Sequence, residues 1–486
     1  MKSNPSERIF LSVPHMSGSE RQYVDAAFES NWLSTIGPNL LALEQRLGEM
    51  FGQPVALLAS GTAGMHLGVR LLGIQPGDEV VTPSLTFAAS CNPVLYEGAR
   101  PVFVDSERTS WNLDPNLLDD FLKRRAAAGR LPKAVTVVHL YGQSADMDSI
   151  LGICDRYGLP VLEDAAHAMG TRYRGRLAAT LGQVGVVSLG GNKVITATSG
   201  GLLTARAPEL VERARYWSTQ ARDQDPLGIN NYVHSELGYN YRMSNVLAGI
   251  ALGQLDVLEL RVQQRQRVFE RYHAAFADLP GIEPQPEGGF GDRRSEIGDR
   301  GGGAAACSRL EALGDRRSEI GDGEGGAAAC PAVARRAKAG ASVQQGAGSG
   351  ERGAGGQGGS GGNVQRSTLN AQRSTFNVQL STSQHQPPTG SLHTRWLSCF
   401  LIDESKFGMS SADLIRFLDA ANIESRPVWK PMHTQPLYRG CECVGGEVAA
   451  DLNRRGICLP SSSSLSAEDQ QFVIERIRQA HKRGKG

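Results

Sequence analysis

From Val55 to Ala205 the chain repeats one pattern: VALLA (55–59), EVVTP (79–83), PVFVD (101–105), VTVVH (135–139), LPVLEDA (159–165), VGVVSL (184–189) and GGLLTA (200–205). Each run is short and carries Val or Leu at consecutive positions, as strands buried on both faces of a sheet do. Most of the intervals hold helix-length segments, among them GTAGMHLGVRLLG (61–73), TFAASCNPVLYEG (86–98) and SADMDSILGICDRYG (144–158). Strands alternating with helices of these lengths predict an α/β fold, a doubly wound and mostly parallel sheet of seven strands.

Outward from this region the pattern changes. Residues 244–279 place apolar side chains at helical spacing over many turns and read as one or two long helices leaving the sheet. Near the end, TRWLSCFLID (394–403), SSADLIRFLDAANI (410–423) and SAEDQQFVIERIRQAH (466–481) read as strand, helix and helix, enough for a small α+β domain. Between these parts, 24 of the 58 glycines fall between Glu287 and Ser391. There GDRRSEIGDRGGGAAAC (291–307) recurs as GDRRSEIGDGEGGAAAC (314–330), and QRSTLNA (365–371) recurs as QRSTFNV (372–378). Apolar content this low and aperiodic does not offset the entropy of ordering, so the stretch is expected to be a disordered insertion in the small domain. The near-identical units look like repetitive DNA read in frame; a flexible partner-binding segment is the alternative. The expected division is 1–243, a large α/β domain; 244–286, a helical connection; 287–391, the insertion; and 392–486, the rest of the small domain.

Of the 486 residues, 51 are Lys or Arg and 50 are Asp or Glu, a net charge of +1. Such a balance argues against a general nucleic-acid-binding surface. The opening MKSNPSERIFLSVPHM lacks the apolar core of a signal peptide, and no run approaches the ~18 apolar residues of a membrane span. Cys441 and Cys443 form a C-x-C pair without the second pair or histidine cluster of a zinc site. The expectation is a cytoplasmic protein with reduced thiols and no metal.

Four features carry chemistry. Ser60-Gly61-Thr62 joins the first strand to a helix, a junction that offers backbone N–H groups and a hydroxyl to an anion. Glu163-Asp164-Ala165-Ala166-His167 ends a buried strand, where α/β sheets bind ligands; an acid there can pair with a cationic ring nitrogen or cap the following turn. Ser188-Leu189-Gly190-Gly191-Asn192-Lys193 sets a lysine just past a buried strand, where desolvation lowers its pKa as a Schiff-base lysine requires. Gly238-Tyr239-Asn240-Tyr241-Arg242-Met243 offers phenols, an amide and a guanidinium that can clamp a phosphate or cover a helix start. In this order on an α/β sheet, the features describe a pyridoxal-phosphate site. A nicotinamide oxidoreductase would need G-x-G-x-x-G after the first strand, which SGTAGMH lacks.

The motifs SGTAGMHL (60–67), PSLTFAASCNPVLYEGARPVFVD (83–105), VVHLYGQSADMDSI (137–150), EDAAHAMG (163–170), GNKVITATSGG (191–201), GYNYRMSNVLAGI (238–250) and ESRPVWKPMH (424–433) together resemble the DegT/DnrJ/EryC1/StrS sugar aminotransferases, within the fold-type I pyridoxal-phosphate enzymes. The resemblance implies that Lys193 anchors the cofactor covalently and that Asp164 holds its ring nitrogen protonated. It places His167 near the ring's phenolic oxygen, Phe87 stacked on the ring, and Gly61, Thr62 and Ser188 at the phosphate. Asn240 would reach the phosphate of a neighbouring subunit, implying a homodimer with shared active sites. PHMSGSERQYVDAAFESNWLSTIG (14–37) resembles members acting on nucleotide-linked 4-keto-6-deoxy-hexoses, including those leading to legionaminic and bacillosamine-type sugars. There Trp32, Ser34 and Gly37 would border the sugar, and Arg426, Lys430 and His433 would contact diphosphate or sugar. The implied activity is amino transfer, from glutamate, to C4 of such a sugar for surface polysaccharide or glycan synthesis. The alternative is an impaired or regulatory homologue that binds pyridoxal phosphate or sugar and is disrupted by the insertion. Leu189, where the family commonly has an aromatic, is expected to loosen packing around Lys193. A branch of the family that dehydrates its substrate carries histidine in place of this lysine, so Lys193 argues against it.

Overall fold

A computed structural model describes residues 7–225, 228–229, 231–288 and 390–484. The repeats of the insertion lie outside the described residues; its two ends do not. All described residues belong to one compact unit.

The seven expected strands form at β1 (Val55–Leu58), β2 (Glu79–Pro83), β3 (Arg100–Val104), β4 (Ala134–Val138), β5 (Val161–Asp164), β8 (Val184–Ser188) and β9 (Gly201–Ala205); a small hairpin, β6 (Arg172–Tyr173) and β7 (Arg176–Leu177), stands apart. The sheet has eight strands rather than seven, in the order β1-β9-β8-β5-β4-β2-β3-β13. The eighth, β13 (Cys443–Val444), comes from the far end of the chain and pairs in parallel with Phe103 and Val104. Two residues carry no periodicity, so no sequence signal marks this strand. All neighbours run parallel except β9, which is antiparallel to β1 and β8.

The strands are apolar on both faces because helices cover both. β2 sends Val80 towards α3 (Gly61–Leu71) and α7 (Pro208–Ser218), and Val81 towards α5 (Pro115–Ala127) and α6 (Met147–Tyr157). Leu162 and Val161 of β5 divide in the same way, as side chains alternate across a strand. The segment TFAASCNPVLYEG forms a three-residue 3₁₀ turn and the five-residue α4 (Asn92–Tyr96) rather than a full helix, since Pro93 fixes a helix start within it.

The expected long helices are two, α8 (Asn245–Leu255) and α9 (Leu258–Phe276). The first packs on α1 (Glu20–Glu29) and α2 (Pro38–Phe51). The second lies over a four-stranded antiparallel sheet, β10-β11-β14-β12, made of Ile282–Pro284, Ser398–Ile402, Gly456–Leu459 and Arg426–Pro427. After β11 come α10 (Glu404–Phe407), α11 (Ser411–Ala420), α12 (Glu447–Arg455) and α13 (Ala467–Gly484); Phe400, Leu414, Val473 and Ile477 join one core with Phe269 and Tyr272 of α9. β10 and β11 are paired from Ile282↔Ile402 to Pro284↔Phe400. Beyond them Arg395 donates to Glu287 (2.6 Å), joining the two sides of the insertion by an ion pair.

Candidate active site

The carboxyl ends of the parallel strands converge, and the chemistry-bearing residues follow directly from them. Asp164 ends β5, Ser188 ends β8, and Lys193 follows in the turn after β8. Gly61 and Thr62 open α3 after β1. Ser60 Oγ accepts from the Ala63 N–H (3.0 Å), which leaves the first N–H groups of the helix to another acceptor. Gly61 is required here: a Cβ would lie 2.9 Å from Ser188 Cβ.

Asp164 is buried and oriented from two sides. Its Oδ2 accepts from Ser90 Oγ (2.6 Å) and its Oδ1 from the Ala166 N–H (3.0 Å), while Thr86 Oγ1 lies 2.7 Å from Ser90 Oγ. The turn from Thr86 to Ser90 thus binds inward through its hydroxyls, while Phe87 is 55% exposed with its ring 5.5 Å from that of Trp429. Glu163, one position earlier, is wholly buried and serves structure. It accepts from the N–H groups of Ala179, Leu181 and Gly182 and from His139 Nε2.

Lys193 is a half-buried residue whose ammonium end points inward; burial brings its pKa down to about 8, against the pull of Asp164. His167 is buried, and burial together with the Lys193 charge holds its pKa well below the usual value. It is neutral near pH 7, and its Nδ1 has no hydrogen-bond partner among the described residues. Its ring stacks on Trp396 at 4.5 Å and meets Trp429 at 4.8 Å. Leu189 is buried in the same core as Trp396.

A profile of the DegT/DnrJ/EryC1/StrS aminotransferase family matches residues 14–290 and 366–478. The chain belongs to this family. It is 36% identical over 474 residues to EpsN of Bacillus subtilis (strain 168), whose name places it among pyridoxal phosphate-dependent aminotransferases; the match covers 96% of this chain and 95% of EpsN. It is 33% identical over 468 residues to GDP-perosamine synthase of Escherichia coli O157:H7, covering 96% of each chain. Among solved structures, the PLP form of the sugar aminotransferase Spr1654 from Streptococcus pneumoniae shares the fold, with a TM-score of 0.69 at 20% identity over 97% of this chain and 98% of that one. The protein is a fold-type I, pyridoxal phosphate-dependent aminotransferase.

The residues present suit that cofactor. The buried Nδ1 of His167 has no partner among the described residues, Asp164 offers a carboxylate at a strand end, and Gly61, lacking a side chain, brings the start of α3 against the Ser188 hydroxyl. When bound, pyridoxal phosphate supplies a carbonyl that condenses with amines and a ring that delocalises electrons. Lys193 would hold it covalently, Asp164 its ring nitrogen, and Gly61, Thr62 and Ser188 its phosphate.

Asn240 is exposed, while Tyr239 and Tyr241 on either side of it turn inward onto the buried His66, with ring centroids 4.9 and 5.8 Å away. Trp32, Ser34 and Gly37 lie in the loop between α1 and α2, gathered by Asn245. Its side-chain amide donates to the Trp32 carbonyl (2.8 Å), its backbone N–H donates to the Ser34 carbonyl (2.7 Å), and its Oδ1 accepts from the Leu40 N–H (3.1 Å). Gly37 has φ +151°, and a Cβ there would come within 2.4 Å of Asn245 Cγ. Arg426 is exposed and paired with Glu424 (2.8 Å), Lys430 is exposed, and His433 is held by Ser84 Oγ (2.5 Å). Sequence reasoning passed over Ser90, Asn245, Trp396 and Trp429. Ser90, Asn245 and Trp429 stand inside quoted motifs, so a signal existed; Trp396 lies in a run read only as a strand.

Proposed function

We propose that the protein transfers the amino group of an amino acid, glutamate first among candidates, to the C4 ketone of a nucleotide-linked 4-keto-6-deoxy-hexose. The donor leaves as its 2-oxo acid and the sugar as its 4-amino derivative. The relatives point to sugars: GDP-perosamine synthase, the spore coat polysaccharide biosynthesis protein SpsC of Bacillus subtilis (34% identical over 278 residues), and DesI, solved with its TDP-sugar product. The product would enter surface polysaccharide or glycan synthesis.

The observation that carries the reading is the Lys193 ammonium, with a pKa near 8, beside an oriented Asp164 and a neutral His167. An amine of that pKa both accepts and gives a proton near neutral pH, as a general acid–base must. Asp164 would keep the cofactor nitrogen charged, Phe87 would cover one face of the ring, and His167 would offer its ring nitrogen to the phenolic oxygen. Trp32, Ser34 and Gly37, with Arg426, Lys430 and His433, would bind the nucleotide sugar. The exposed Asn240 supports a homodimer with shared active sites, and the division at 243, 286 and 391 is retained. A cytoplasmic location belongs to the same reading; among the described residues no helix is long and apolar enough to cross a membrane.

The test is mass spectrometry of products from a panel of 4-keto nucleotide sugars with glutamate and pyridoxal phosphate. A gain of one amino group at C4 is expected for at least one sugar. A protein that binds the cofactor yet leaves the whole panel unchanged would overturn the reading.

A further inference from the structure

We propose that Trp396 is a positioning residue for Lys193, holding its ammonium group against the indole face and fixing the turn that carries it. The Lys193 Nζ lies 4.3 Å from the indole centroid, well inside the ~6 Å reach of a cation–π contact. The indole is itself immobilised. Its N–H donates to the carbonyl of Asn192 (2.6 Å), the residue preceding the lysine and 204 positions away in sequence. Its backbone N–H donates to the Tyr141 carbonyl (3.0 Å). Its carbonyl accepts from Arg265 (2.6 Å), a fully buried arginine that also reaches the Ser461 carbonyl (2.9 Å), Ser12 Oγ (3.1 Å) and the Lys193 carbonyl (3.4 Å). Trp396 is 3% exposed, so water does not screen the contact.

The charged and titratable groups around Nζ act in different directions. Asp164, at the end of β5, favours the ammonium; burial opposes it; His167, neutral and stacked on Trp396, adds no charge. Arg265, from α9, engages the lysine backbone carbonyl. Against that background the indole face favours the charged lysine. Leucine in its place would keep the burial and remove the attraction. The inference rests on Lys193 being the reacting lysine, and its test is chosen to be read without the cofactor.

The experiment measures the pKa of Lys193 in the apoenzyme, from the pH dependence of its acylation by an amine-directed reagent, followed by peptide mass spectrometry. Trp396→Leu is expected to lower that pKa by roughly 0.5–1 unit, and Trp396→Phe by less than half as much. Fluorinated tryptophan incorporated into the wild-type chain weakens the ring face without changing its shape. It should lower the pKa in step with the number of fluorines, which keeps the proposal testable where the leucine variant fails to fold. Equal shifts for Leu and Phe, or a pKa unmoved by fluorination, would overturn it. Whether Lys193 is the reacting lysine is read separately, from loss of the visible band of the lysine-bound cofactor in Lys193→Ala.

Discussion

Glu163→Gln exchanges one atom in the EDAAH segment and is expected to damage the fold rather than the chemistry. The carboxylate accepts four hydrogen bonds: the N–H groups of Leu181 (2.6 Å) and Gly182 on Oε1, and the Ala179 N–H (3.0 Å) and His139 Nε2 (2.9 Å) on Oε2. His139 cannot relieve the change, because its Nδ1 already accepts from the Ala145 N–H (3.2 Å), so Nε2 must carry the proton. A glutamine keeps one oxygen for Leu181 and Gly182 and turns its NH₂ against two buried donors. Two charge-assisted bonds are lost and two donors left unpaired, a cost of about 3 kcal/mol, within ~2–5. Urea unfolding of the apoenzyme would show it as a lower midpoint at unchanged slope. The folded fraction should keep near-normal turnover. A stability loss below ~1 kcal/mol would refute the network argument. So would abolished turnover in fully folded protein, which would move Glu163 into the chemistry. The same exchange one position later, Asp164→Asn, should do the reverse: little loss of stability and activity down by orders of magnitude.

The Lys193 pKa makes apoenzyme stability depend on pH. Its folded value, about 8, lies below the unfolded 10.5, so the unfolded chain binds more protons between those values. The contribution from this group therefore falls as pH drops through that window and is constant below it; Lys193→Met should remove the slope and gain roughly 3 kcal/mol at pH 7. Asn245→Ala frees the loop carrying Trp32 and Ser34. It should raise the KM for the nucleotide sugar while leaving the donor half-reaction, followed by the cofactor's absorbance, unchanged. Deleting residues 289–389 across a short Gly/Ser linker should leave activity and the unfolding midpoint within error, because the β10–β11 pairing and the Glu287–Arg395 pair already hold the junction. Activity gained only on deletion would favour the impaired-homologue reading instead.

Much of this protein is local and legible in the sequence alone. Seven doubly apolar runs specified the strands, because burial on both faces removes the polar alternation an exposed face would impose. The strand ends and the turns after them make Gly61, Asp164, Ser188 and Lys193 candidates, since strand ends and helix starts are where backbone and charge are free to meet a ligand. What the tertiary structure decided depends on partners distant in sequence. Asp164 and Glu163 are adjacent carboxylates, and only their surroundings separate them: one faces Ser90 and the lysine, the other a closed ring of N–H donors. The eighth strand exists only because Phe103 and Val104 offer an open edge to Cys443 and Val444. Gly37 is glycine because Asn245 occupies the space a Cβ would take. Trp396 reads as one more apolar residue of a strand, and becomes part of the site only when the small sheet brings it to the lysine. Periodicity records which face of an element is buried; it carries no record of what that face is buried against.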